Sequence, residues 1–244
     1  MCMMAEMARV KSTNIFATRH EGREVMVYGA QLESLKQNAM ILPLPVIHQG
    51  SHVELLDLSA YQDFFSDLDF YYISPPSFAA PPFGAALEVF TVGSFEASIV
   101  PSLDDFVRLD QRFRLAPGIR AVLEQRYADW SFVVYQFGAG KHELHPFGVK
   151  FESRFQEHLF FPTVHVHDGA HAPAVASFAH HFYAQRASLE KRYTSFASRC
   201  PSPFPGSQPA PPPRMPNFVD LQIPIDLGRR VGTYLNVDVY AKID

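Results

Sequence analysis

Cysteine is nearly missing: Cys2 and Cys200 are the only two in 244 residues. That argues against a disulfide scaffold and against a cysteine-based zinc site. Charge is sparse as well. Charged residues make up 19% of the chain, the net charge is −4 with His neutral, and neither sign runs in long blocks. The basic stripe with which nucleic-acid binders release counterions is therefore missing. No window approaches the roughly 18–20 apolar residues of a membrane-spanning helix. The first ten residues carry Glu6 and hold no apolar run of signal-peptide length. The expectation is a cytoplasmic protein with neither membrane nor nucleic acid as partner, and with a frayed N-terminus at residues 1–10.

Recognised catalytic settings are scarce too. No Ser sits in a G-x-S-x-G elbow, and neither Cys has the surroundings of a nucleophile. Gly138-Ala139-Gly140-Lys141 lacks the spacing and the following hydroxyl of a phosphate loop, and reads as a hairpin turn. Asp67 with Asp69 and Asp104 with Asp105 read as helix-start and turn residues, not as paired catalytic acids.

What the chain does have is apolar mass. Hydrophobic residues make up 47%, and Phe alone occurs 22 times, which predicts a core built on rings as well as aliphatic side chains. Residues 10–47 read as two strands around His20-Glu21-Gly22-Arg23 and a third, Ala39–Leu42, stopped at a sheet edge by Pro43-Leu44-Pro45. Ser59 with Gln62 and Ser102 with Asp105 are helix-start signals, and Pro117 opens a further helix. Strands are expected at 87–92, 95–100, 130–137, 147–151 and 159–166, with a Pro-rich loop at 74–84. Residues 173–198 place Val175, Phe178, Ala179, Phe182, Tyr183, Leu189, Tyr193 and Phe196 on one side at 100° per residue, which predicts a long helix. Eight Pro between 201 and 216 predict a surface strap. Residues 219–243 read as a closing hairpin turned at Gly228–Gly232. The expected fold class is α+β. Its mostly antiparallel sheets would pack with one long helix in the C-terminal half and two or three short ones, in a single domain over 1–244.

One segment is chemically unusual, His165-Val166-His167-Asp168-Gly169-Ala170-His171, and eight of the eleven His fall between 142 and 181. On a strand, residues i and i+2 share a face, so His165 and His167 present two imidazoles together. Such an edge suits a divalent transition metal such as Zn. His171 could fold back as a third ligand, and Asp168 could orient a ligating imidazole through its other N–H. His181 would lie on the flank of the expected helix and His180 on its wet side.

Several stretches resemble an uncharacterised bacterial family, one of the domains of unknown function, whose members are mostly exported. They are Val25–Pro45 (VMVYGAQLESLKQNAMILPLP), Val92-Gly93-Ser94-Phe95, Tyr127-Ala128-Asp129-Trp130, Phe132–Phe137 and Pro146-Phe147. The resemblance covers about residues 25–165 and implies strand order without a reaction. This chain departs from it in lacking an export signal and in its HVHDGAH segment.

Two functional expectations follow. The first is a non-catalytic structural or interaction protein, contacting a protein partner or a second copy of itself. The second is a metal-binding protein or metal-dependent enzyme using His165, His167 and His171. A small-molecule pocket between the sheet and the long helix is a third.

Overall fold

The computed structural model of the chain describes residues 2–59, 61–71, 90–92, 95–109, 115–184 and 225–243. In chain order its elements begin with β1 (Cys2–Met4), β2 (Ala8–His20), β3 (Arg23–Ser34), β4 (Asn38–Leu44), β5 (Val53–Asp57) and α1 (Phe64–Tyr71). There follow β6 (Phe90–Val92), β7 (Phe95–Val100), a 3₁₀ turn (Leu103–Arg108), α2 (Pro117–Tyr127), β8 (Ser131–Phe137) and β9 (Gly140–Phe151). The chain closes with β10 (His158–Phe161), β11 (His165–Val166), β12 (Val175–Ala184), β13 (Ile225–Leu235) and β14 (Val239–Lys242).

Glu21 and Gly22 both take positive φ, 51° and 76°. A two-residue turn of this kind matches the natural twist of paired strands, and it joins β2 to β3 in register from Ala8↔Ser34 to His20↔Arg23. The strands build two six-stranded sheets. The first has the order β11-β1-β4-β8-β7-β6 and the second β13-β12-β2-β3-β9-β5, while β10 pairs separately with β14. Both large sheets are mixed, because β1 runs parallel to β11 and β12 runs parallel to β2.

The two sheets share a core. Tyr135 on β8 meets Phe147 on β9 at 4.0 Å between ring centres, and Phe161 on β10 meets Phe182 on β12 edge-on at 5.5 Å. Aromatic pairs in these arrangements add to the burial of their area, as the Phe-rich composition foretold. Inside this core Glu24 is fully buried and accepts the Phe160 N–H at 2.6 Å, which ties β3 to β10. Burial pushes its carboxyl up to about 7, against the pull of that hydrogen bond and of Arg19.

The second sheet is covered on its far face too. Alternation puts Val25, Val27 and Gly29 of β3 on one face, where Phe64, Phe65 and Leu68 of α1 pack with Phe16, Val25, Val27 and Tyr183. Gly29 is what lets α1 come so near: a Cβ there would stand 2.7 Å from the Phe65 ring. That ring is held by Phe64 and Tyr183, with centroids at 5.2 and 5.9 Å, so it has little freedom to yield. Gly29→Ala is expected to cost about 1–3 kcal/mol through overpacking. The check is chemical unfolding of both proteins, and an unchanged midpoint would contradict this account of the contact.

Four expectations need correction. The fold is not α+β with a long helix: strands dominate, and the described helices are α1, α2 and the 3₁₀ turn. Within the expected helix 173–198, residues 175–184 form β12, and the remainder lies outside the described residues. The N-terminus does not fray at residues 2–4, because β1 is an inner strand with Met3 and Met4 fully buried. Nor does β4 lie at an edge, since β1 and β8 flank it. Pro43 is tolerated there because, among the described residues, the β1 ladder pairs only Met40 and Ile41 and does not reach Pro43. Finally, the described part of the expected hairpin 219–243, residues 225–243, is not one. β13 runs unbroken through Gly228–Gly232 against β12, and β14 goes to β10. The Pro-rich segments 74–84 and 201–216 lie outside the described residues. Among those described, no helix is long and apolar enough to cross a membrane.

Candidate functional site

The site forms where the two sheets meet at one end. β11 contributes only two residues to the first sheet, and a side chain from the β13–β14 connection holds it in place. Asn236 Oδ1 accepts the His165 N–H at 2.6 Å, while Asn236 Nδ2 donates to the His165 carbonyl at 2.9 Å and to the Pro173 carbonyl at 2.9 Å. The amide thereby stands in for a neighbouring strand, satisfying backbone groups that burial would otherwise leave costly. Two residues on, Asp238 is half-buried and accepts from the Tyr127 hydroxyl at 2.6 Å and from the Thr163 and Val164 N–H groups at 2.8 and 3.3 Å.

β12 supplies the opposite wall. Its alternation points Phe178, His180 and Phe182 inward, and all three are buried. His180 reaches across to the first sheet, its Nε2 lying 2.9 Å from Nε2 of His165. His167 stacks on His165, with centroids 4.6 Å apart and planes 27° from parallel. Three imidazoles are thus gathered, but not the three that spacing selected. His171 is exposed, and its Nδ1 pairs with Asp168 Oδ2 at 3.1 Å. Asp168 Oδ1 accepts the N–H groups of Ala170 and His171, both at 2.8 Å. These backbone bonds, His171's first, hold the Asp168 carboxyl down at about 2. Gly169 (φ 72°) completes the turn, where a Cβ would meet the Ala5 carbonyl at 2.6 Å. Asp168 and His171 are therefore turn residues, and neither reaches the inner cluster.

His180 is the functional candidate that sequence reasoning missed. Read at helical period it faced water; read at period two it faces in. His181, by contrast, points to the far face of the sheet, where its Nδ1 lies 2.7 Å from the Tyr183 hydroxyl.

The electrostatics of the cluster are one-sided. Burial drives the His165 imidazole down to about 2, aided by the positive charge of Arg230, and it lowers His180 as well. Both rings are neutral at physiological pH, so one Nε2 donates and the other accepts. Two ring nitrogens remain buried without a hydrogen-bond partner, Nε2 of His167 and Nδ1 of His180. Among the described residues no group of three His, Cys, Asp or Glu side chains is placed to hold a metal ion.

No family model matches this chain. Among solved structures it is similar to baculovirus P35, with a TM-score of 0.42 and 12% identity over 84% of this chain and 75% of that one. A likeness at that level carries no argument about what this chain does.

Proposed function

We propose that this chain is a non-catalytic interaction protein, which takes an extended segment of a partner protein onto the edge of β13. The observation that supports it is the character of that edge. β13 is eleven residues long and, among the described residues, pairs only with β12. Alternation places Arg229, Val231, Thr233 and Leu235 on one face, and Val231 and Leu235 are 63% and 65% exposed.

Edge strands are normally blunted by shortness, proline, inward-pointing charge or a covering segment, because open backbone groups recruit other strands. The other edges of the two large sheets follow that rule: β6 has three residues, β11 two and β5 five. β13 departs from it in both length and exposed apolar content. A segment adding to it would gain main-chain hydrogen bonds for affinity and alternate side-chain contacts for selectivity. Arg229, exposed on the same face, favours a partner segment carrying a carboxylate between its apolar positions.

The test is selection of random extended peptides displayed against the whole protein, repeated with Val231→Glu and Leu235→Glu. Peptides alternating apolar with acidic positions are expected, binding either variant at least tenfold more weakly. Equal binding to both variants would refute the proposal. So would concentration-dependent dimerisation in sedimentation that either variant abolishes, since the edge would then serve a second copy.

A further inference from the structure

The parallel pairing of β2 with β12 leaves a fork in the second sheet. The two strands are in register from Thr13↔His180 to Ala17↔Ala184. Before that point they separate, β2 held by β3 and β12 held by β13. Between the prongs lies a cavity of about 260 Å³, lined among others by Lys11 and Thr13 from β2, Ser177 and His180 from β12, and His165 and His167 from the first sheet. Cavities for drug-sized ligands start at roughly 300 Å³, so the guest that fits here is small.

Charge decides what kind of guest. Among the described residues no carboxylate lines the cavity. Arg230 lies directly opposite His180 across the β12–β13 ladder, and residues so paired share a face. Its guanidinium lies over the rings of Phe178 and Tyr234, at 4.1 and 4.8 Å, and donates to the Leu235 carbonyl at 2.8 Å. Burial lowers its pKa, opposed by Tyr234, and among the described residues no acid is paired with it. Asp168, which follows His167 in the sequence, is committed to its own turn.

Polar capacity is also left over. His180 is 2% exposed and lines the cavity, yet its Nδ1 has no partner, and the buried Nε2 of His167 has none either. A buried polar atom without a partner costs about 1–3 kcal/mol. If His165 donates its Nε2 hydrogen to Nε2 of His180, then Nδ1 of His180 carries the hydrogen and becomes a donor.

We propose that the fork between β2 and β12 binds a small free oxyanion, a carboxylate or a phosphate. Arg230 and Lys11 supply the positive charge, and the imidazole N–H groups of His180 and His167 supply the hydrogen bonds. The guest would complete the two unfilled nitrogens and neutralise the Arg230 cation in one step. Anions bound by charged donors in such a setting make short, strong hydrogen bonds. This inference stands apart from the β13 edge, and either proposal can fail without the other.

The experiment uses the full chain and two probes, inorganic phosphate and malonate, titrated calorimetrically at constant ionic strength with sodium chloride as the control. Imidazole ¹⁵N signals are followed in parallel. Saturable one-to-one binding of at least one probe is expected, with shifts of the His167 and His180 signals. Binding of phosphate alone or of malonate alone assigns the guest class. Arg230→Gln is expected to weaken binding at least tenfold. Lys11→Gln, on the exposed rim where folding is not at risk, is expected to weaken it severalfold. Absence of saturable binding beyond the chloride control would overturn the proposal, as would equal affinity in both variants. One-to-one binding of Zn²⁺ or Ni²⁺ with no oxyanion response would overturn it in favour of a cation site.

Discussion

Lowering the pH from 6.5 to 4.5 is expected to cost this protein roughly 5 kcal/mol more than it costs a His165→Phe, His180→Phe double variant. The two imidazoles are buried at 6% and 2% exposure and sit against each other, bridging the sheets at 2.9 Å. Burial lowers both, His165 to about 2. A His lowered in the native state leaves stability intact above its unfolded value of about 6.5 and withdraws it as pH falls. Over two pH units each neutral imidazole accounts for about 2.7 kcal/mol, at 1.36 kcal/mol per unit. Arg230 from β13 and Lys11 from β2 face the pair with positive charge, and they reinforce the sign.

Glu24 works in the opposite direction. Its carboxyl is raised to about 7, so its contribution is complete below about 4.5 and is lost as pH rises through 7. It is common to both proteins and cancels in their difference. The measurement is the urea midpoint and slope of wild type and double variant at half-unit steps of pH. Parallel curves for the two proteins would sink this account of the His pair.

The second large effect belongs to Asp238. Its carboxylate is the shared acceptor for α2, through Tyr127, and for the β10–β11 connection, through Thr163 and Val164. Asp238→Ala leaves three buried donors unsatisfied and is expected to cost about 3–5 kcal/mol, each stranded donor being worth about 1–3. Asp238→Asn keeps one oxygen able to accept from the backbone and is expected to cost less than half as much. Thermal unfolding of the pair separates a hydrogen-bonding role from simple packing. Equal losses in both variants would show that the acceptor geometry is not what matters.

Much of the strand pattern was readable because punctuation marked it. Glu21-Gly22 fixed a hairpin and Pro117 fixed the start of α2, whereas the hairpin expected at Gly138-Ala139-Gly140 is not one: there the chain passes from β8 in the first sheet to β9 in the second. The misreading at 173–198 has a physical cause. The second half of β12 is covered on both faces, by Phe161 against Phe182 inside and by Phe65 against Tyr183 outside. A strand buried on both sides loses its alternation and imitates the apolar stripe of a helix. That error carried the site with it, because it turned His180 toward water and left His171 as the apparent third ring. His165 and His167 were legible because a His-x-His pair on a strand shares a face whatever surrounds it. The clamp by Asn236 was not legible, since nothing local in the sequence announces an amide that serves as a strand's neighbour 71 residues away.

Strand order has a consequence in time. β2 needs β12 beside it, and Thr13 waits on His180, about 170 residues downstream. At a synthesis rate of about 5–20 residues per second, that wait lasts roughly 10–30 s on the ribosome. During it Ile15 and Ala17 have no neighbour on that flank, and Cys2 and Met3 await β11 on theirs. Loop closure over such distances makes the search for native pairing slow. A nascent chain of this topology depends on something else to keep its first strands apart from one another's edges until the last hundred residues emerge.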